Sequence, residues 1–443
     1  MTRMKAYSDR RVRALASFAG GVAVIPSAKT ILRNNDTEYP FRQNSDFYYL
    51  TGFNEPDAVL VLAPEQSEHR SILFLRERDR AQEIWNGHRL GVERAVEAFG
   101  VDAAFPIGEL EQRLPQYLIG AETLHYALGM SESRDRVMQE VMNAARALTR
   151  RSGKSPHTIA DPGIVVHEMR SFKSPEEVET LRRAAAITRL GHVAAMRATR
   201  PGLHEYEIEA LLEYEYRRGG AQDVAYESIV AGGDNATILH YNTNRNVLAP
   251  GTLLLVDSGC ELDLYASDVT RTWPVSGRFS PEQRAIYDIV LAAHQAACDR
   301  VRPGEPRSAF HDAAISTITE GLIDLGLLKG SQDENIEQGH FRSFYMHGTG
   351  HWLGLDVHDV GRYRDAFDDP VRLQPNMVTT VEPGIYIHRD LDCDERFKGI
   401  GVRIEDDLLV TPDGHENLNA AIPKKPEEIE QIVGTSARET VHA

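Results

Sequence analysis

Cysteine is scarce in this chain: Cys260, Cys298 and Cys393 are the only three among 443 residues. So few and so scattered, they exclude a disulfide framework and suit a reducing compartment, so a cytoplasmic protein is expected. Long apolar runs are missing as well. None approaches the roughly 20 residues of a membrane span, and no membrane partner is expected. The basic start (Arg3, Lys5, Arg10, Arg11, Arg13) leads into Leu15–Ile25, which Ser17, Gly20 and Gly21 interrupt. That pattern reads as a helix end followed by a strand, not as a secretory signal. Positive charge is in deficit: 49 Lys and Arg face 66 Asp and Glu, a net charge of −17. Nucleic-acid binding draws on clustered Lys and Arg, so no nucleic-acid partner is expected.

What is present suits a globular protein too long for one core, so two domains are expected, at residues 1–172 and 173–443. The first alternates strand-like and helix-like segments and is read as α/β. Ala58–Ala63 and Ser71–Leu75 are short buried strands around a turn containing Pro64, and Thr123–Leu128 is another. Gly91–Phe99, Glu109–Leu118 and Arg134–Leu148 have helical spacing. Asn35–Phe53, rich in aromatic and polar residues, reads as a connection that packs as a loop or walls a binding site. Arg150–Pro156 (RRSGKSP) is polar and reads as the linker.

Ser174-Pro175-Glu176-Glu177 is a capping box with Pro at the first helical position, opening a long helix. The same construction recurs at Ser280-Pro281-Glu282-Gln283, and each long helix ends at an Arg-Pro-Gly. A second amphipathic helix follows each (Glu205–Arg218 and Ser308–Leu325), and then strands. Two helix–helix–sheet halves in tandem are expected, with the functional site where their sheets meet.

Carboxylates stand at the ends of apolar strands in both halves. Leu253–Val256 runs into Asp257, and a hairpin turning near Leu262-Asp263 sets Asp268 opposite it, with Cβ atoms roughly 5 Å apart. Two ionised carboxylates that close repel unless a cation sits between them. The alternative is a pair of solvated strand-end residues, against which the apolar approach to Asp257 argues. Downstream, Met377–Val381 delivers Glu382, and the strand Gly401–Val410 places Arg403 and Glu405 on one face. Tyr345–Gly361 holds His347, His351 and His358 among glycines that disfavour a helix. Four oxygen donors and an imidazole suit Mn, Fe or Co better than structural zinc. Four carboxylates exceed the need of one ion, so two ions with a hydroxide between them are expected. The residues by themselves leave open which histidine joins the set.

LLLVDSGCE, YASDVTRTWPV, MHGTGHWLGLDVHD, TVEPGIYI and VRIEDD together resemble the motif set of the pita-bread metallopeptidases. NDTEYPFRQNSDFYYLTGFNEPDAVLVL and EIWNGHRLG are similar to the Xaa-Pro aminopeptidase (aminopeptidase P) branch of that family. The resemblance spans nearly the whole chain. It implies an α/β amino-terminal domain, which limits access and makes oligomer contacts, followed by an α+β pita-bread catalytic domain with an internal pseudo-twofold repeat. It implies Asp257, Asp268, His351, Glu382 and Glu405 as ligands of two Mn2+ ions, with His240, His347 and His358 on the substrate side and Arg403 supporting the ligands. Asp36, Trp85 and Arg151 from the first domain, with Trp352, Arg372 and Tyr386, are carried over as substrate contacts. The family often has a basic residue before the strand leading to Glu382. Here Phe367-Asp368-Asp369-Pro370 is acidic, and Arg372 is the nearest basic candidate.

The implied reaction is hydrolysis of the bond between an N-terminal residue and a following proline, in a homo-oligomer (dimer or tetramer). The bridging hydroxide attacks, Glu382 takes its proton, and a histidine, His358 for choice, stabilises the tetrahedral oxygen. Prolidase shares the ligand set but requires a free carboxylate next to the proline. A metal-free pita-bread module that only binds peptides, or a creatinase-like hydrolase, is disfavoured because all five ligand positions are intact.

Overall fold

A computed structural model of the chain describes residues 2–436 and divides into two compact units, Met1–Arg170 and Ser171–Ala443. Residues 437–443 of the expected second domain lie outside the described residues. The expected linker, Arg150–Pro156, does not separate the units. It joins a helix to the last strand of the first unit's own sheet.

The first unit runs α1 (Thr2–Ser17), β1 (Gly21–Pro26), β2 (Leu32–Asn34), β3 (Thr37–Glu38), α2 (Ser45–Thr51), β4 (Val59–Leu62) and β5 (Ser71–Leu75). It continues through α3 (Arg80–Asn86), α4 (Val92–Phe99), β6 (Ala103–Pro106), α5 (Leu110–Tyr117), β7 (Thr123–His125), α6 (Glu132–Leu148), β8 (Thr158–Ala160) and α7 (Gly163–Ser171). Six strands form one mixed sheet in the order β6-β5-β4-β1-β7-β8. Strands β4 and β5 are buried along their whole length, as continuous apolar runs require when both faces of a sheet are covered.

The stretch Asn35–Phe53 is not a plain loop. After an exposed β2–β3 hairpin, Asn44 caps α2 by accepting from the Phe47 N–H at 2.9 Å, and Gly52 ends it in the left-handed region. The basic residues of α1 close the other end: Arg10 donates to Tyr49 O (3.1 Å) and Arg11 to Leu50 O (2.8 Å). Positive groups at a helix C-terminus meet both its orphan carbonyls and its dipole. In the first turn of α2, Asp46 accepts from Arg170 at 2.7 Å and faces His167 Nε2 at 3.1 Å.

That hydrogen bond raises the His167 pKa above 6.5 against the opposing effect of burial. Burial works to raise Asp46, but His167 and Arg170 hold it below the usual carboxylate range. The His167 contribution to stability is therefore complete below the unfolded histidine pKa and lost as pH rises through the folded value. The Asp46 contribution is present at neutral pH and lost in acid. A proton NMR titration should place His167 above the free-histidine value in the parent. Asp46→Asn should bring it back; an unchanged His167 pKa would show that the pair is not coupled.

The second unit opens with α8 (Pro175–Ala198) and α9 (Glu205–Arg218), then β9 (Asp223–Val224), β10 (Ile229–Gly232), β11 (Leu253–Asp257), β12 (Cys260–Leu262), β13 (Tyr265–Ala266) and β14 (Thr270–Pro274). Its second half repeats the plan with α10 (Pro281–Cys298), α11 (Ser308–Asp324) and α12 (Gln332–Glu337). Then come β15 (Val378–Val381), β16 (Gly384–Ile387), β17 (Ile400–Arg403), β18 (Asp406–Thr411), β19 (Gly414–Asn417) and α13 (Pro426–Ile432). Both expected capping boxes are formed, at Ser174 with Glu177 and at Ser280 with Gln283. The halves share one hydrophobic core in which Trp273, Tyr287, Val290 and Leu408 are fully buried. Strands β10-β11-β14 belong to the first half and β15-β18-β19 to the second. This is the pita-bread plan.

Candidate metal centre

Asp257 is the last residue of β11, and Asp268 comes just before β14. The register differs from the expected one: Asp257 faces Thr270, not Asp268. The pairs Leu262↔Tyr265 and Asp257↔Thr270 fix a two-residue turn at Asp263-Leu264, both with positive φ (54° and 67°). Such a turn matches the strand twist but is rarely built with leucine, so the sequence placed it one residue too early. Moving the turn by one residue shifts the partner by two, so both carboxylates keep the same face. Asp268 now lies across from Gly259, where an added Cβ would fall 1.6 Å from Ser267 O. The glycine is a steric requirement of this close approach.

From the second half, Glu382 follows β15. Glu405 does not sit inside one continuous strand. The run Gly401–Val410 is broken at Ile404-Glu405, between β17 and β18. Its backbone N–H turns aside there to donate to Thr270 O at 3.1 Å. His351 lies on an irregular segment pinned to β15, donating to Thr380 Oγ1 (3.1 Å) and accepting from Thr380 N (2.9 Å). Its Nδ1 donates to Trp352 O at 3.0 Å, which leaves Nε2 towards Asp268 at 3.4 Å and Glu382 at 3.8 Å. His347 also comes within 3.7 Å of Glu382 through Nδ1, but both its nitrogens are taken by closer partners: Nε2 is 2.8 Å from Tyr386 Oη and Nδ1 2.8 Å from Gly348 O.

All five expected ligands line one cavity of about 580 Å³, together with His240, His347, His358 and Arg403. Ligand atoms of Asp268, His351 and Glu405 lie within 4.8 Å of one another. The electrostatics show a surplus of negative charge. Arg403 is buried and donates to Asp257 Oδ2 at 2.6 Å, yet burial still pushes the Asp257 carboxyl up, with Asp268 adding to the shift. Burial and three neighbouring carboxylates drive Glu405 well up, and burial takes Glu382 to about 7 against the pull of His351 and Arg403. Asp268 is the exception. Burial opposes it, but the His351 hydrogen bond and charge hold it low, while burial works against His351 and Asp268 lifts that imidazole to about 9. Four carboxylates facing two positive groups are a donor set short of cations. Divalent ions fit it.

Three contributors carried no sequence signal of their own. Tyr226, in the loop before β10, donates to Asp257 Oδ1 at 2.6 Å and is also hydrogen-bonded to Asp268 Oδ1. Thr270 donates to Glu405 Oε2 at 2.7 Å and accepts from Arg403 Nε at 3.0 Å. Asp407 accepts from the Asp268 N–H and from Ser267, both at 3.1 Å. Position opposite Asp257 marks Thr270 once the register is known; nothing local marks the other two.

Of the expected substrate contacts, Tyr386 sits behind the wall. It is buried, accepting from Arg403 at 3.0 Å and facing His347. Trp352 is buried and turned from the cavity, with its Nε1 donating to Arg362 O and Arg307 over its ring. Arg372 is exposed and donates to Gly304 O, outside the cavity lining. In the first unit, Asp36 lies at the exposed turn of the β2–β3 hairpin and Arg151 is exposed beyond α6. Trp85 on α3 is 83% exposed, so it does not pack in its own core.

The family model for metallopeptidase family M24 matches residues 179–412, and that for the aminopeptidase P N-terminal domain matches residues 7–126. The chain belongs to metallopeptidase family M24. Among its M24 relatives, an Escherichia coli protein called Xaa-Pro aminopeptidase is 46% identical over 94% of each chain. The solved structure of Pseudomonas aeruginosa aminopeptidase PepP aligns with a TM-score of 0.96 at 45% identity, covering 99% of both chains. Zinc-substituted E. coli aminopeptidase P in complex with product aligns with a TM-score of 0.94 at 45% identity, covering 98% of both.

In this M24 fold the close approach at Gly259 is what brings the two aspartates together. Gly259→Ala should cost roughly 3 kcal/mol, the upper end for overpacking a tight interior, read as a lower urea midpoint. A variant as stable as the parent would mean that the strands part there without penalty.

Proposed function

We propose that this chain is an Xaa-Pro aminopeptidase, hydrolysing the bond between an N-terminal residue and a following proline in peptides. The observation that carries the reading is the cation-poor cluster of His351 with three buried carboxylates and the half-buried Glu382, in a chain whose near-full-length relatives include enzymes so named. The match to the aminopeptidase P N-terminal domain favours this over prolidase. Asp257, Asp268, His351, Glu382 and Glu405 would hold two divalent ions, Mn2+ by our reading. Bound there, the ions polarise the scissile carbonyl and supply hydroxide at neutral pH.

The chain's own groups do the rest. Glu382 accepts a proton from the nucleophile and passes it to the leaving proline nitrogen, which has no N–H of its own. His358 and His240 donate to the substrate carbonyl, and Arg403 holds Asp257 in place. We further propose a cytoplasmic homo-oligomer in which exposed Trp85 contributes to an intersubunit contact that limits access.

Chelation should abolish hydrolysis of an Xaa-Pro tripeptide, and Mn2+ should restore it. Preference for the tripeptide over an Xaa-Pro dipeptide separates the proposal from prolidase; full activity without any transition metal would sink it. Asp268→Ala should lower the content of both ions, whereas His240→Ala should keep near-parental metal and lose turnover or substrate affinity. The opposite pattern in metal analysis would reverse these assignments.

Trp85→Ala should leave fold and metal content intact while weakening cleavage of longer peptides. Sedimentation of the parent should give a species larger than a monomer. A monomeric, fully active parent would reject the role assigned to Trp85.

A further inference from the structure

The segment carrying His347 and His351 is short of side chains to hold it, since Gly348 and Gly350 alternate with the residues around them. One side is secured by β15 and the residue after it. The Glu382 N–H donates to Thr349 O at 2.7 Å, and an added Cβ on Gly350 would fall 2.0 Å from Thr380 O. The other side is held from α11. At the N-cap of that helix, the Arg307 guanidinium donates to Gly350 O. It lies 4.1 Å from the Tyr363 ring centroid and 5.1 Å from that of Trp352, a cation–π seat. In the first turn, His311 Nδ1 is 2.7 Å from Thr349 Oγ1, which is also 2.5 Å from Tyr345 Oη. The Tyr345 ring stands edge-on to His347, with centroids 4.9 Å apart. Neither Arg307 nor His311 lines the cavity. Their attachments nonetheless converge on Thr349 and Gly350, directly before His351.

We infer that Arg307 and His311 are positioning residues for the centre, fixing the Thr349-Gly350 backbone so that the His351 imidazole meets Asp268 and Glu382. A backbone clamped only from β15 would keep its hydrogen bonds yet pivot about the two glycines. The α11 contacts remove that freedom. The inference rests on His351 being a metal ligand, as proposed above. Groups that orient a ligand without touching the ion alter metal affinity by about 10- to 100-fold when removed.

The test is Co2+ binding by calorimetry to the metal-free full-length protein, with the visible spectrum of the bound ion and the melting temperature of the metal-free form. Arg307→Met removes the guanidinium but keeps the apolar stem. His311→Leu removes the δ nitrogen, and His311→Asn retains one near its place. Arg307→Met and His311→Leu should each bind Co2+ about tenfold more weakly, with altered absorption bands and parental melting. His311→Asn should bind as the parent does. Parental affinity and spectrum in both Arg307→Met and His311→Leu would overturn the inference. So would an equal loss in His311→Asn accompanied by lower melting, which marks general packing. His351→Ala separates the two levels: parental Co2+ binding there would overturn the ligand reading itself, and this inference with it. Weak binding in His351→Ala beside parental binding in the α11 variants would reject the inference alone.

Discussion

The second unit is built around negative charge that its own cations do not balance. Asp257, Asp268 and Glu405 are buried together, with Glu382 beside them in the same cavity. Buried carboxylates are costly unless paired or hydrogen-bonded, and here the bonding partners come from across the fold. Thr270 of the first half donates to Glu405 of the second, and Arg403 of the second donates to Asp257 of the first. The cavity is therefore also the seam between the halves. Whatever satisfies its carboxylates also joins the two sheets.

Two neighbouring residues show what separates a structural carboxylate from one kept for a cation. Asp406 is fully buried and meets Arg271 at 2.6 Å, with Lys424 hydrogen-bonded to it and His294 at 3.2 Å. Burial opposes its charge, but Arg271 and Lys424 hold its carboxyl well below the usual range. Glu405, the residue before it, is equally buried and is driven well up by burial and by three other carboxylates. The chain thus spends its nearby cations on Asp406 and leaves Glu405 without one of its own. Arg271 connects the layers, since it donates to the Glu405 carbonyl at 2.6 Å as well as to Asp406. The ionic lattice behind the cavity holds the backbone from which the cation-poor side chains project.

How much of this was legible follows from where each signal sits. Capping boxes at Ser174 and Ser280 are local chemistry, and the helices began where they said. Asp257 and Glu382 were visible because apolar strands lead into them. The hairpin register was missed because a leucine, Leu264, takes a left-handed conformation that the sequence assigned to no residue. Helix α2 was hidden because it is buried on nearly every side, at Ser45 and at Phe47 through Thr51, so its seven residues show no helical period. Tyr226, Thr270 and Arg271 act through partners up to 152 residues away along the chain. No spacing rule reaches that far, and only the register makes them neighbours.

The histidines make the same point at the level of chemistry. By sequence, His347, His351 and His358 are one glycine-rich group, and His240 stands apart. In the fold, His351 has Nδ1 committed to a carbonyl and Nε2 among carboxylates. His347 has both nitrogens engaged, at Gly348 O and Tyr386 Oη, and burial with the nearby Arg403 pushes it down to about 3. It is a neutral wall residue with no donor to spare. His240 and His358 line the cavity, are exposed, and have no hydrogen-bond partner among the described residues. Partial burial against the cavity wall and the His351 charge lower His358 as well, favouring its neutral form. On the proposed reading that form is the useful one: it donates a hydrogen bond to a carbonyl oxygen without repelling the ammonium at the peptide's start. A proline amide offers no N–H to recognise. Polar recognition then falls to the carbonyl and the terminal amine, and His240 and His358 are the imidazoles left free to meet them.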